Sequence, residues 1–136
     1  MKPNELNQGK RWLKQAESDL DDAKFAFSGN RFNLACFLAQ QSAEKTLKGY
    51  LYFKGAEEIW GHSVAELCDD ASSFDKEFET LKRKAASLDK YYIPTRYPNG
   101  LPGGIPAEAF DKDDAQKAVF LAESVLIFVK ERFPQD

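Results

Sequence analysis

Apolar residues recur at helical spacing along most of the chain. From Lys10 they fall at Leu13, Ala16, Leu20, Ala23 and Phe27, which predicts a first helix with Glu17, Asp19, Asp21 and Asp22 on its wet side. Ser28-Gly29-Asn30 stops it, with Gly29 expected as the C-terminal cap and Asn30 as the N-cap of the next helix. So short a turn predicts an antiparallel hairpin. The second helix, Asn30 to Gly55, is the stretch around which the rest is organised. At about 100° per residue, Phe32, Cys36, Ala39, Ala43, Leu47 and Tyr50 share one core arc, while Gln41, Glu44, Lys45 and Lys48 form a second, polar arc. Leu34, Phe37, Leu38 and Tyr52 lie off the core arc. A helix apolar on more than one side is usually buried on more than one, so this one is expected to meet a second subunit, a ligand or a loop as well as its own bundle.

Gly55 to Gly61 reads as a connector carrying an exposed Trp60. Ser63-Val64-Ala65-Glu66 has the form of a capping box and opens a short helix with Val64, Leu67, Cys68 and Ala71 on one face; His62 stands just before the cap. Phe74, Phe78, Leu81, Ala85, Leu88 and Tyr92 predict a fourth helix with a basic outer face of Lys76, Lys82, Arg83, Lys84 and Lys90. Pro94 breaks it. Prolines at 94, 98, 102 and 106, with Gly100, Gly103 and Gly104, predict a long loop without regular structure up to Phe110. In a small domain such a loop is usually functional or disordered. Asp111 is expected to cap a last helix with Ala115, Ala118, Val119, Ala122, Val125, Leu126, Val129 and Phe133 in one stripe, and Asp113 and Asp114 suit its dipole. No segment alternates at period two. The expectation is an all-α antiparallel bundle of four main helices plus one short helix, one domain over 1–136, with 1–9 as a loose leader.

Composition narrows the chemistry. A net charge of −3 over 136 residues gives no general attraction to phosphate backbones, so any nucleic-acid contact requires a local patch. No stretch reads as a membrane span or signal peptide. Cys36 and Cys68 sit at apolar helical positions and read as buried thiols of a reducing cytoplasm. His62 is the only histidine, which argues against a His-rich metal site, and neither metal nor cofactor is expected. The glycines from Gly100 to Gly104 lack the Lys-Ser/Thr of a P-loop.

Three separated stretches carry a family resemblance. Phe32 to Leu51, with its run Gln40-Gln41-Ser42-Ala43-Glu44-Lys45-Thr46-Leu47-Lys48, resembles the paired long helices of the HEPN domain family (higher eukaryotes and prokaryotes nucleotide-binding). Gly61-His62-Ser63-Val64 and Leu67 resemble that family's start to its third helix, and Tyr92-Ile93-Pro94-Thr95-Arg96-Tyr97-Pro98 its Y-x-x-x-R-Y-P segment. The resemblance implies a homodimer, often working with a minimal nucleotidyltransferase in a toxin–antitoxin or similar pair. Many members are metal-independent RNases with an R-x4-6-H motif. Here the histidine slot after Arg96 falls on Leu101, Pro102 or Gly103, and no histidine follows His62. General acid–base cleavage of RNA needs a group titrating near neutrality, so binding is favoured over catalysis.

Each candidate residue has a plain reading and a functional one. Glu44, Lys45 and Lys48 are either a solvated face with an i, i+4 pair or an anion-binding surface. Arg96 either ties the loop down or forks onto phosphate, with Tyr97 packing or stacking on a base. His62 is either a hydrogen-bonder at the helix start or a ligand-binding group. Together these six form the expected nucleotide or anion site, with no catalytic residue assigned. The alternatives are an RNase toxin pairing Arg96 with His62, and a structural interaction module with no small-molecule ligand.

Overall fold

A computed structural model describes residues 3–135. Its helices are α1 (Pro3–Ser28), α2 (Phe32–Phe53), α3 (Val64–Ser72), α4 (Phe78–Ala85), α5 (Pro106–Ala109) and α6 (Lys112–Lys130). Turns of 3-10 helix lie at Ala86–Tyr91 and Pro98–Gly100. Among the described residues there is no strand, and no helix is long and apolar enough to cross a membrane. The all-α bundle read from the pattern is the observed fold. α2 lies at its centre, packed against α1, α3, α6, the longer 3-10 helix and α5.

The hairpin of α1 and α2 begins earlier than the apolar stripe suggested. Residues 3–9, expected to be loose, are helical; Met1 and Lys2 lie outside the described residues. Pro3 suits a first helical position, Glu5 the positive end of the dipole, and Leu6 packs on the core. Gly9 is buried against α2, where a Cβ would stand 2.9 Å from the Gly49 carbonyl oxygen. Gly49 faces it in turn, with a Cβ there 3.1 Å from the Gly9 oxygen. The helices thus meet backbone to backbone at this end.

α1 and α2 are closed at their C-terminal ends by the same hydrogen-bond pattern. After α1, Asn30, at φ 62°, takes the left-handed position, and the amides of Asn30 and Arg31 return to Phe27 and Ala26. This is a Schellman closure with Asn30 where Gly29 was expected, and Arg31, not Asn30, precedes α2. After α2, Gly55, at φ 71°, repeats it, its amide and that of Ala56 returning to Tyr52 and Leu51.

The predicted fourth helix is split. α4 ends at Ala85 and the chain tightens into 3-10 winding to Tyr91. In that winding residues i and i+3 eclipse. Ala85, Leu88 and Tyr91 therefore share the buried side, and Asp89 and Tyr92 share the side facing the start of α3. Tyr91, not Tyr92, is the core residue, and Phe74 lies exposed before the helix. The Pro/Gly-rich loop also holds more order than predicted, because Pro98 and Pro106 each start a short helical turn. It is tied back by the buried Thr95, whose hydroxyl donates to the Tyr91 carbonyl and whose own carbonyl accepts from Asn33 Nδ2 at 3.1 Å. Asp111 caps α6 as predicted, reciprocally with Asp114.

Candidate functional site

Glu44 sits on the supposedly wet arc of α2, yet it is 4% exposed. Burial of a carboxylate requires partners, and Glu44 has four. Its Oε2 accepts from Lys48 Nζ at 3.0 Å and lies 3.2 Å from His62 Nδ1. Its Oε1 accepts from the amides of Gln40 and Gln41, each at 3.3 Å. Gln40, wholly buried, also donates to the His62 carbonyl at 2.9 Å, so one side chain of α2 holds both the carboxylate and the histidine backbone. A carboxylate only accepts, so Nδ1 carries the proton in this contact, and Nε2 of the exposed ring is left for a ligand or solvent.

The start of α3 is held by a residue from elsewhere. Ser63 Oγ accepts from the Glu66 amide, as its position in the sequence predicted. The other half of the expected capping box, a bond from the Glu66 side chain back to Ser63, is absent among the described residues. Asp89 serves this end instead, its carboxylate accepting from Ser63 Oγ and the Val64 amide at 2.6 Å each and from the Ala65 amide at 3.3 Å. A carboxylate suits the positive end of a helix dipole. Asp89 thereby anchors the 3-10 helix to the backbone that presents His62.

Tyr92, one 3-10 turn later, stacks on His62 with ring centroids 4.8 Å apart at 19°. The Arg96 guanidinium lies 4.6 Å from the same Tyr92 ring, 4.4 Å from Phe37 and 5.1 Å from Tyr97. Arg96 Nε donates to the Tyr92 carbonyl at 2.9 Å, which is the loop-tying role. Its two terminal amino groups make no hydrogen bond among the described residues and remain a fork suited to a phosphate or carboxylate. Phe37, one of the off-core apolar residues of α2, thus meets the loop.

Lys48, Glu44, His62, Tyr92 and Arg96 therefore form one unbroken chain of contacts, with exposed Tyr97 at its end. Lys45 is not part of it. It turns to α1 and pairs with the buried Asp19 at 2.5 Å, where Gln15 also donates. The cysteines take no part either. Burial, with neighbouring carboxylates, pushes the thiols of Cys36 and Cys68 up to about 12, which leaves them neutral and unreactive.

The sequence profile of the HEPN domain matches residues 10–132. The chain belongs to the HEPN domain family. Its fold is similar to that of TT1696 from Thermus thermophilus, with a TM-score of 0.85 at 39% identity over 93% of this chain and 98% of that one. ST0689, described as an archaeal HEPN homologue, gives a TM-score of 0.78 at 38% identity over the same shares. A Methanocaldococcus jannaschii protein named "Putative toxin MJ1304" is 27% identical over 135 residues, covering 93% of this chain and 88% of its own.

Sequence reasoning missed three residues of this HEPN domain that position the others. Gln40 looked like part of a polar run, and its neighbour Gln41 gave no hint that one is wholly buried and the other only half. Constant helical spacing places Tyr92 in the core and gives Asp89 no distinguishing mark, because the positions of both depend on a tightening of helical pitch.

Proposed function

We propose that this HEPN domain binds a nucleotide, or a comparable phosphate-bearing ligand, through Lys48, His62, Arg96 and Tyr97. We further propose that it acts as a homodimer with a minimal nucleotidyltransferase partner in a toxin–antitoxin type pair. One observation carries the binding reading: two cationic or protonatable groups from segments far apart in sequence, His62 and Arg96, share the Tyr92 ring, with the Arg96 fork free. Glu44 stays buried and orients Lys48 and His62, while Tyr97 offers a half-exposed ring to a base. The name of the Methanocaldococcus jannaschii relative supports the toxin-type role.

A thermal-shift titration with nucleoside mono-, di- and triphosphates tests the binding. A ligand at 100 times its dissociation constant adds about 2.7 kcal/mol of stability, which Arg96→Ala should abolish and Arg96→Lys only partly retain. Equal shifts in wild type and Arg96→Ala, or none with any nucleotide at millimolar concentration, refute the site. A second reading, metal-independent RNA cleavage, is favoured by the Glu44–His62 contact, which fixes one imidazole nitrogen and leaves Nε2 for proton transfer. It requires that RNA be cut in the presence of a chelator by the wild type and not by His62→Ala.

A further inference from the structure

On the other side of Lys48 lies an open groove of about 830 Å³ lined by Gln8, Arg11, Trp12, Lys14, Gln15, Ser18, Lys45 and Tyr52. Three of these are cations and none is a carboxylate, in a chain whose net charge is −3. Lys45 is neutralised by Asp19. Arg11 and Lys14 are exposed and have no carboxylate partner among the described residues; Arg11 bonds only to the Gln8 amide oxygen, at 3.0 Å. The same groove holds an aromatic pair, Trp12 stacked on Tyr52 with centroids 5.3 Å apart at 17°. Lys48 Nζ lies 5.9 Å from the Trp12 ring and 3.0 Å from Glu44, so one lining residue of the groove borders the Glu44–His62 chain of contacts. Gln8 to Ser18 is about 15 Å of helix at 1.5 Å per residue, longer than one nucleotide needs.

Cations that follow a backbone, interleaved with rings on which bases stack, are the recognition chemistry of single-stranded nucleic acid. The local excess of positive charge supplies the attraction that the whole chain lacks. We propose that this groove holds a few nucleotides of a single strand and leads it towards Lys48 and His62. Its direction rests on the nucleotide site proposed above; the groove itself does not. With the Gln8 oxygen taken by Arg11 and the Gln15 amino group turned to Asp19, the Gln8 amino group and the Gln15 oxygen, which make no hydrogen bond among the described residues, are left to meet base edges or sugar hydroxyls.

The test uses the full chain with Trp60→Phe, which leaves Trp12 as the sole tryptophan, and end-labelled oligo-uridine and oligo-thymidine of equal length. Either strand should quench Trp12 fluorescence and bind with a negative salt dependence. Equal binding of the two points to bases and phosphates alone, and a preference for RNA adds recognition of the 2′-hydroxyl; both support the groove. Arg11→Gln with Lys14→Gln, both on exposed positions, should weaken binding at least tenfold at low salt. The double variant should also cut the slope of log affinity against log salt by about 1.4, at about 0.7 per phosphate contact on a single strand. Its response to mononucleotides should be unchanged, which separates this groove from the Arg96 site. Tyr52→Leu should weaken strand binding without altering the salt slope. Wild-type affinity and slope in the double variant, or no oligonucleotide binding at low salt, overturn the proposal. So does a change in oligomeric state by sedimentation with strand binding intact, which would mark the face as a contact between copies of the chain.

Discussion

Replacing Glu44 by glutamine changes little in volume and much in hydrogen bonding. In the native site Oε1 receives two amide donors and Oε2 receives Lys48 and His62. A glutamine offers one oxygen and one amino group, so in either orientation one pair of donors faces another donor. If the amino group faces Lys48 and His62, a lysine side chain only 13% exposed loses its counter-charge. If it faces Gln40 and Gln41, the wholly buried Gln40 keeps only the His62 carbonyl as acceptor for its amino group. Hydrogen bonds to charged groups are worth about 1.5–3 kcal/mol each, but Lys48 and His62 can recover part of that by turning to water. The expected loss is about 2 kcal/mol. Urea unfolding of Glu44→Gln, Lys48→Met and the double variant measures it, with a coupling of about 1 kcal/mol between the two sites. Because His62 is the sole histidine, a nitrogen spectrum of the imidazole reads its tautomer directly and should lose its Nδ1–H preference in Glu44→Gln. A Glu44→Gln protein within about 0.5 kcal/mol of wild type, or one with an unchanged His62 tautomer, would show that the carboxylate does not organise the site.

Two further outcomes test the frame around it. Gly49→Ala places a methyl 3.1 Å from the Gly9 oxygen and 3.2 Å from the Trp12 Cβ, so it should cost about 1–3 kcal/mol by overpacking and shift the Trp12 emission; a stability equal to wild type by urea unfolding refutes the close crossing. The Cys36 and Cys68 thiols stay protonated up to about 12 when folded but ionise near 8.5 when unfolded. Their contribution is therefore complete below about pH 8.5 and is lost as pH rises towards 12. The urea midpoint should fall between about pH 8 and pH 10.5, and fall less steeply in Cys36→Ala/Cys68→Ala; parallel falls in the two proteins contradict the assignment.

Where burial follows a constant helical pitch, the pattern of residues was sufficient. Val64, Leu67, Cys68 and Ala71 are all buried, and the stripe on α6 is buried apart from a partly exposed Val119. Where pitch changes, the pattern points the wrong way: at 3.6 residues per turn Leu88 aligns best with Tyr92, whereas the 3-10 winding buries Leu88 with Tyr91 and turns Asp89 and Tyr92 to the start of α3. The polar arc of α2 was visible as polar, but its division was not. Lys45 and Lys48 differ by less than one turn, and what separates them is Asp19 on α1 and Glu44 on α2. The first turns of α1 went unseen because the crossing there rests on a glycine, which carries no hydrophobic signal. His62, Arg96 and Tyr97 were identified as candidates, and their mutual placement depends on hydrogen bonds spanning tens of residues that no local spacing encodes.

The Gly9–Gly49 crossing has a consequence for how this molecule can vary. Two helices that touch through their main chains have no side-chain torsion between them to absorb a slip, so the hairpin behaves as a keyed joint with a single seating. Trp12 lies one turn along α1 from that joint and Lys48 is the residue beside it on α2. Substitutions in the 93–110 segment or at the outward ends of long side chains can therefore reshape the surface without moving this joint, while the spacing between the Trp12–Tyr52 pair and the buried Glu44 is set by the main chain itself.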